Sequence, residues 1–318
     1  MRRRSSIAIL SSIAAIGLLA GMLPGVEGAL APLPAGASAA RVAQLVAASH
    51  KITDIPKNLV VPLQDLGHDT VGSYFPVHST LCLTMTSCVY GSTTAKRTIV
   101  LFGDSHAWMW VPAVIPIAVK DKYKLVLLYK PLCSAANVTF WDTAKGSYVT
   151  ACDAWRTSSI AALKAARPSL VLLASLTSRR YSAPGKLFTS AQWRTGLEST
   201  ISKLKSKSTK IAILGDINIL SVSPPPCLGA NPKAVQKCAT ANPNPNPISH
   251  NLNSAEQSAA KVEDVRYVNT LRWFCTKTCS PIIGNIIVYL DNWHVTATYS
   301  ALLSEVMAKN LATLLKPI

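Results

Sequence analysis

Five short apolar runs constrain this chain more than any other feature. They are Thr98–Phe102, Lys124–Tyr129, Leu170–Ala174, Ile211–Leu214 and Ile286–Leu290. Each has the length of a strand and is nearly continuous in Val, Ile and Leu, the pattern of strands buried on both faces. Between them lie segments of helical period. Ser190–Leu204 puts Trp193, Leu197, Ile201 and Leu204 on one face, and Asp153–Ala166 is similar. Ala107–Val119 is interrupted by Pro112 and Pro116. Ser254–Glu263 precedes a short extended run at Arg266–Val268, and Thr296–Leu315 closes the chain with Thr296 placed as its N-cap. Strands alternating with helices predict a parallel sheet wound on both faces. The expectation is an α/β, three-layer α/β/α sandwich around a mostly parallel five-stranded sheet, filling residues 96–318. Residues 32–95 read as an irregular extension, with Ala-rich Ala35–His50 as a helix or linker and Pro56–Tyr90 rich in Pro, Gly and polar residues. Pro224–Pro226 and Asn242–Pro247 mark a long loop.

The first and last apolar runs end in chemistry. Gly103-Asp104-Ser105-His106 follows Thr98–Phe102, and Asp291-Asn292-Trp293-His294 follows Ile286–Leu290. Serine is a poor nucleophile at neutral pH. It needs a histidine to take its proton, and the histidine needs an anion to fix its tautomer. Ser105 sits where a strand hands over to a helix, the crevice position in open parallel sheets, with its N–H at a helix start that favours an oxyanion. The competing role for such a serine is an N-cap. His294 alone among six histidines has a carboxylate three residues ahead and a helix start just after. Asp291 is then its orienting anion. Asp104 is expected to brace the turn through backbone N–H groups. His106 adjoins Ser105, so its side chain should point elsewhere and form a wall of the site.

This arrangement resembles the SGNH (GDSL-like) hydrolase family, most nearly the extracytoplasmic SGNH domain fused to membrane acyltransferases that O-acylate cell-envelope polymers. The residues that carry the likeness are Leu101–Ala107, Lys130-Pro131-Leu132-Cys133, Ile213–Ile217 and Tyr289–Thr296. The likeness runs from about Pro56 to the C-terminus. It implies an SGNH, flavodoxin-like sandwich and a catalytic triad of Ser105, His294 and Asp291. The family commonly adds a Gly after the second strand and an Asn after the third as oxyanion donors. Here Cys133-Ser134-Ala135 and Ala174–Ser178 stand at those places. The N–H of Ser134 or Ala135 and the hydroxyl of Ser175 or Thr177 are the substitutes. Arg179, with Arg180 and Tyr181, falls on the same rim, where an anionic or sugar substrate would lie. Trp108, Trp110 and Trp293 flank the triad segments, with core packing as their default role.

The N-terminus reads as an export signal or an uncleaved anchor over residues 1–31. Arg2, Arg3 and Arg4 precede the charge-free apolar stretch Ser6–Leu23, and Gly28-Ala29-Leu30-Ala31 supplies small residues for cleavage. Eight cysteines agree with export. They fall in sequential couples, Cys82 with Cys88, Cys133 with Cys152, Cys227 with Cys238 and Cys275 with Cys279. Proximity favours these four disulfides, though sequence does not fix connectivity. No Cys-x-x-Cys occurs, so no metal is expected, and no cofactor. The net charge is +17. The basic residues are mostly scattered, with one cluster at Lys203, Lys205, Lys207 and Lys210, and they do not interleave with aromatics as in a nucleic-acid groove. No nucleic-acid partner is expected. A basic face suits an anionic envelope.

The leading expectation is an exported, serine-dependent O-acyltransferase or acylesterase acting through an acyl-Ser105 intermediate. By the resemblance, its acceptor is an envelope polysaccharide or glycolipid, and a separate membrane acyltransferase supplies the acyl group. The alternatives are a non-catalytic envelope-binding protein that keeps the fold and a secreted carboxylesterase or lipase.

Overall fold

The computed structural model describes residues 30–76 and 81–316. Nearly all of the predicted export segment lies outside the described residues. A six-stranded sheet forms the centre. Its strands are β1 (Val89–Gly91), β2 (Arg97–Gly103), β3 (Tyr123–Tyr129), β4 (Leu170–Ala174), β5 (Lys210–Leu214) and β6 (Arg266–Val268). The spatial order is β1-β3-β2-β4-β5-β6. All neighbours pair parallel except β1, which runs antiparallel to β3 at the edge. Five buried residues in a row along β4 explain why its sequence shows no polar alternation.

Helices cover both faces. They include α1 (Ala39–Ala48), α2 (Ser105–Trp108), α3 (Val111–Lys120), α4 (Thr150–Ala166), α5 (Ser190–Leu204), α6 (Asn253–Val262), α7 (Ala297–Leu302) and α8 (Ser304–Leu311). α5 begins with a capping box, in which Thr189 accepts from the Gln192 N–H and Gln192 reaches back to the Thr189 N–H. Such a cap contributes about 1 kcal/mol. Pro112 sits in the first turn of α3, where no N–H is missed. One core layer packs Ile99, Leu101, Leu125, Leu127 and Leu172 under α3, α7 and α8. The other packs Val100, Phe102, Val126, Leu173 and Ile213 under α4, α5 and α6.

Three expectations change. The sheet has six strands rather than five. Ile286–Leu290 is not one of them: Ile286–Ile287 folds back on Ile282–Ile283 as a two-stranded hairpin, with Gly284 at φ +63° in its turn. A parallel strand needs a crossover of about a dozen residues, usually a helix. α6 supplies one before Arg266–Val268, whereas the segment before Ile286 is a loop closed by the Cys275–Cys279 disulfide. Third, residues 32–95 are not wholly irregular: they hold α1 and Val89–Gly91, a strand of the main sheet. Buried Asp69 also holds the start of α7. Its carbonyl accepts from the Ala297 N–H at 2.9 Å and its carboxylate from the Thr298 N–H at 2.9 Å.

All eight cysteines are paired in the four sequential couples. Among the described residues no helix is long and apolar enough to cross a membrane.

Candidate active site

The chain leaves β2 leftwards to β3, then crosses to the other side of β2 to form β4. This reversal opens a crevice at the carboxyl end of β2, where ligands bind in open α/β sheets. Gly103 ends β2 there with φ +154°, and a Cβ on it would run into the carbonyl oxygen of Ala174. Only glycine lets the two strand ends approach so closely.

Ser105 opens α2 directly after this strand. Asp104 caps it, accepting from the His106 N–H at 2.9 Å. The same fully buried carboxylate accepts from the Leu176 N–H at 3.1 Å and from Arg180 Nη2 at 2.6 Å. Asp104 thus ties the turn before Ser105 to the loop after β4. Arg180, which the sequence placed on the rim, is buried in this brace and lies over the Phe140 ring at 4.9 Å.

The Asp291–His294 segment reaches Ser105 from the far end of the chain. His294 Nε2 lies 2.9 Å from Ser105 Oγ, and His294 Nδ1 lies 2.7 Å from Asp291 Oδ2. The other oxygen of Asp291 accepts the N–H groups of Trp293 and His294, both at 2.8 Å. These bonds hold a tight loop whose ends pair through Tyr289 and Val295. Burial pushes the Asp291 carboxyl up, but the bond to His294, its charge and the two N–H groups outweigh this and hold the group below its ordinary value of 3.8. An ionised Asp291 fixes the proton on Nδ1 and leaves Nε2 as the acceptor facing the Ser105 hydroxyl. The arrangement is able to take a proton from Ser105 and return it to a leaving group.

The substitute oxyanion donors divide. The N–H of Ala135 donates to Ser175 Oγ at 2.8 Å. Thr177 donates its N–H and hydroxyl to Asp216 Oδ2, at 2.8 and 3.0 Å, and its hydroxyl accepts from the Leu252 N–H. Ala135 and Thr177 are therefore committed elsewhere. The N–H groups of Ser105 and Ser134 make no hydrogen bond among the described residues, and the Ser175 hydroxyl proton has no acceptor there.

His106 points away from Ser105, as its position implies, but it is no exposed wall. It is 1% exposed, and its Nδ1 lies 2.6 Å from Asp216 Oδ1. Its ring centre is 5.7 Å from that of His294, and its buried Nε2 has no partner among the described residues. Burial lowers the His106 pKa, but the charge and bond of Asp216, with the charge of Asp104, outweigh burial and the opposing Arg180, so the net shift is upward from 6.5. Asp216 is the residue sequence reasoning left without a role. Its signal was present in Gly215-Asp216, a Gly-Asp directly after β5 much as Gly103-Asp104 stands at the end of β2. Beneath it, fully buried Glu256 is pushed well above its ordinary 4.5 by burial and by the charge of Asp216.

Arg179 is exposed, in the left-handed region at φ +56°, with its N–H on the Ile248 carbonyl at 3.0 Å. Its guanidinium lies 6.0 Å from the centre of the Trp293 ring, which stands edge-on to His294. Trp108 stacks on Tyr129 at the end of β3. Trp110 is instead core, against Trp273 and Phe274. Loops after β3 and β4 join in a four-stranded ribbon through Trp141 and Tyr181. Among the described residues no cluster suited to a metal ion occurs.

A family model described as the SGNH domain (fused to AT3 domains) matches residues 75–309. The chain belongs to that family. The periplasmic domain of a lipopolysaccharide acetyltransferase from Salmonella ser. Paratyphi A has the same fold, with a TM-score of 0.53 at 17% identity over 70% of this chain and 84% of that one. Est24, a carbohydrate acetylesterase from Sinorhizobium meliloti, aligns with a TM-score of 0.42 at 15% identity over 69% and 100% of the two chains. No curated protein sequence matches. Membership in the SGNH family supports acyl-ester chemistry in general.

Proposed function

We propose that this SGNH protein is an extracytoplasmic serine O-acyltransferase or acylesterase that acts on a cell-envelope glycan. The observation that carries the reading is the hydrogen-bonded line Ser105–His294–Asp291 at the switch point of the sheet. Ser105 Oγ attacks the acyl carbonyl as His294 Nε2 takes its proton. The tetrahedral oxyanion is met by the N–H of Ser105, the N–H of Ser134 and the hydroxyl of Ser175. Collapse expels the donor's alcohol, which leaves with the proton from His294, and an acyl-Ser105 remains. A sugar hydroxyl, or water, gives its proton to His294 and takes the acyl group as the acyl–Oγ bond breaks, and His294 returns the proton to Ser105 Oγ.

Transfer is favoured over hydrolysis by membership in a family fused to AT3 domains. A separate membrane acyltransferase is then the acyl donor. Arg179 and Trp293, beside His294, suit a sugar or anionic acceptor. Four disulfides fit an oxidising compartment.

Mass spectrometry of the intact protein after incubation with an activated acetyl ester tests the reading. The expected result is one added acyl group on wild type and none on Ser105→Ala. Envelope-derived oligosaccharides added to the same reaction should shift product from free acid to acylated glycan. Equal labelling of the Ser105→Ala chain would overturn the assignment, and free acid as the sole product with every acceptor would leave the esterase reading.

A further inference from the structure

We propose that the pole of the molecule opposite Ser105 docks onto an anionic lipid surface. In a parallel sheet every strand starts at one pole, and each crossover helix ends there. Ser105 lies at the other pole, where β2 ends. The starting pole is crowded with cations. α3 ends at Lys120, with Lys122 just after it. α4 carries Lys164 in its last turn and Arg167 as its C-cap. α5 carries Lys203, followed by Lys205 and Lys207. The strands then begin at Arg97, Lys210 and Arg266. Among the described residues Asp121, Glu263 and Asp264 oppose them at these junctions and Glu305 lines the groove beside Arg97 and Lys120, while Glu263 is engaged by Lys205 at 2.9 Å.

Cations at helix ends favour the helix dipole. That accounts for Lys120, Lys164 and Lys203, but the charge continues through the loops and onto the strand starts. It is also continuous in space. Lys205, Lys207, Lys210 and Arg266 line one groove of about 470 Å³. Arg266 is shared with a second groove of about 390 Å³ that adds Arg272 and Lys309. The Lys210 ammonium bonds the Lys316 carbonyl at 2.8 Å, and Lys316 lines a third groove of about 750 Å³ with Arg97 and Lys120.

The third groove lies close to where the described chain begins. Gly36, near the start of the described chain, lines it. The apolar stretch Ser6–Leu23, behind Arg2–Arg4, lies upstream of Gly36 in the sequence. A segment that meets the bilayer during export or as an anchor delivers this pole to the headgroups, and lysines and arginines near an anionic leaflet add attraction residue by residue.

The test is co-sedimentation of the full chain with phosphatidylcholine vesicles, with and without phosphatidylglycerol. Binding should need the anionic lipid beyond what the apolar segment gives neutral vesicles. It should also fade when salt shrinks the Debye length to a few ångström. The quadruple variant Lys205→Glu, Lys207→Glu, Lys210→Glu and Arg266→Glu should bind anionic vesicles at least about 100-fold more weakly, with unchanged ester turnover. Should that variant fail to fold, Lys203→Glu with Lys207→Glu and Lys309→Glu, all exposed, replaces it. Lys145→Glu, Lys186→Glu, Lys233→Glu and Lys277→Glu remove the same charge from other exposed positions and should leave binding near wild type. Equal loss in this control, equal binding to both vesicle types, or preference for soluble dextran sulfate over vesicles would each overturn the proposal. Because ester turnover is read in the same samples, its loss points to the triad reading and not to this one.

Discussion

Two aspartate–histidine pairs of nearly equal length lie side by side in this molecule and do different work. Asp291 and His294 are 2.7 Å apart, half-exposed, and end on Ser105. Asp216 and His106 are 2.6 Å apart and buried, and among the described residues the pair ends on no further group. The difference lies in the surroundings of the carboxylate. Asp291 takes two N–H groups of its own loop and holds a partly exposed histidine. Asp216 takes the N–H of Ile217 and both donors of Thr177, so it joins the ends of β4 and β5 beneath the site. Similar contacts leave one pair facing a serine hydroxyl near the surface and the other enclosed among donors inside.

The sharpest way to break this comparison is at the reactive pair. Ser105→Ala or His294→Ala should lower ester turnover by at least about 1000-fold, because triad members act as a unit. Asp291→Asn should cost as much or somewhat less, with thermal unfolding nearly unchanged. Asp216→Asn should show the reverse emphasis. It strips a buried histidine of its counter-charge and should cost about 3 kcal/mol of stability, seen as a clear fall in Tm. A stable Asp216→Asn protein with turnover lost as in Ser105→Ala would merge the two pairs into one catalytic relay.

Charge sharpens the contrast further. The folded pKa of Glu256 is raised, so its contribution is complete below pH 4.5 and declines as pH rises through that value towards the folded pKa. His106 is also raised, so its pair contributes fully below pH 6.5 and loses strength as pH climbs through the folded value. Thermal unfolding across this range should therefore show stability falling with pH, and Glu256→Gln should flatten the part that begins near pH 4.5. The smallest effect is expected at the rim. Arg179→Ala should raise KM for an oligosaccharide acceptor several-fold and leave turnover of a small activated ester alone, measured by parallel steady-state assays.

Much of the fold was legible in the sequence because buried parallel strands carry an unmistakable apolar run. β4 and α5 have the predicted limits. Ile286–Leu290 carries the same signal but lacks a crossover helix, and periodicity alone does not register connectivity. Arg266–Val268 is the converse, a short, partly polar edge strand that the preceding helix brings into the sheet. In the candidate site, the meeting of Ser105, His294 and Asp291 was readable because the three lie at element ends or close in sequence. The commitment of Thr177 to Asp216, and of the Ala135 N–H to Ser175, was not readable. Those bonds join residues 39 and 40 positions apart and depend on how two loops meet.

The grip of Asp69 on the start of α7 bears on how such a module travels between proteins. The stretch that matches the family begins at residue 75, yet the clamp on the helix just after His294 lies upstream of it. A graft cut at the edge of the match would leave behind the hand that holds the histidine loop in place. The portable unit is set by that grip, so a transplanted or fused version needs Asp69 to arrive with the helix that follows His294.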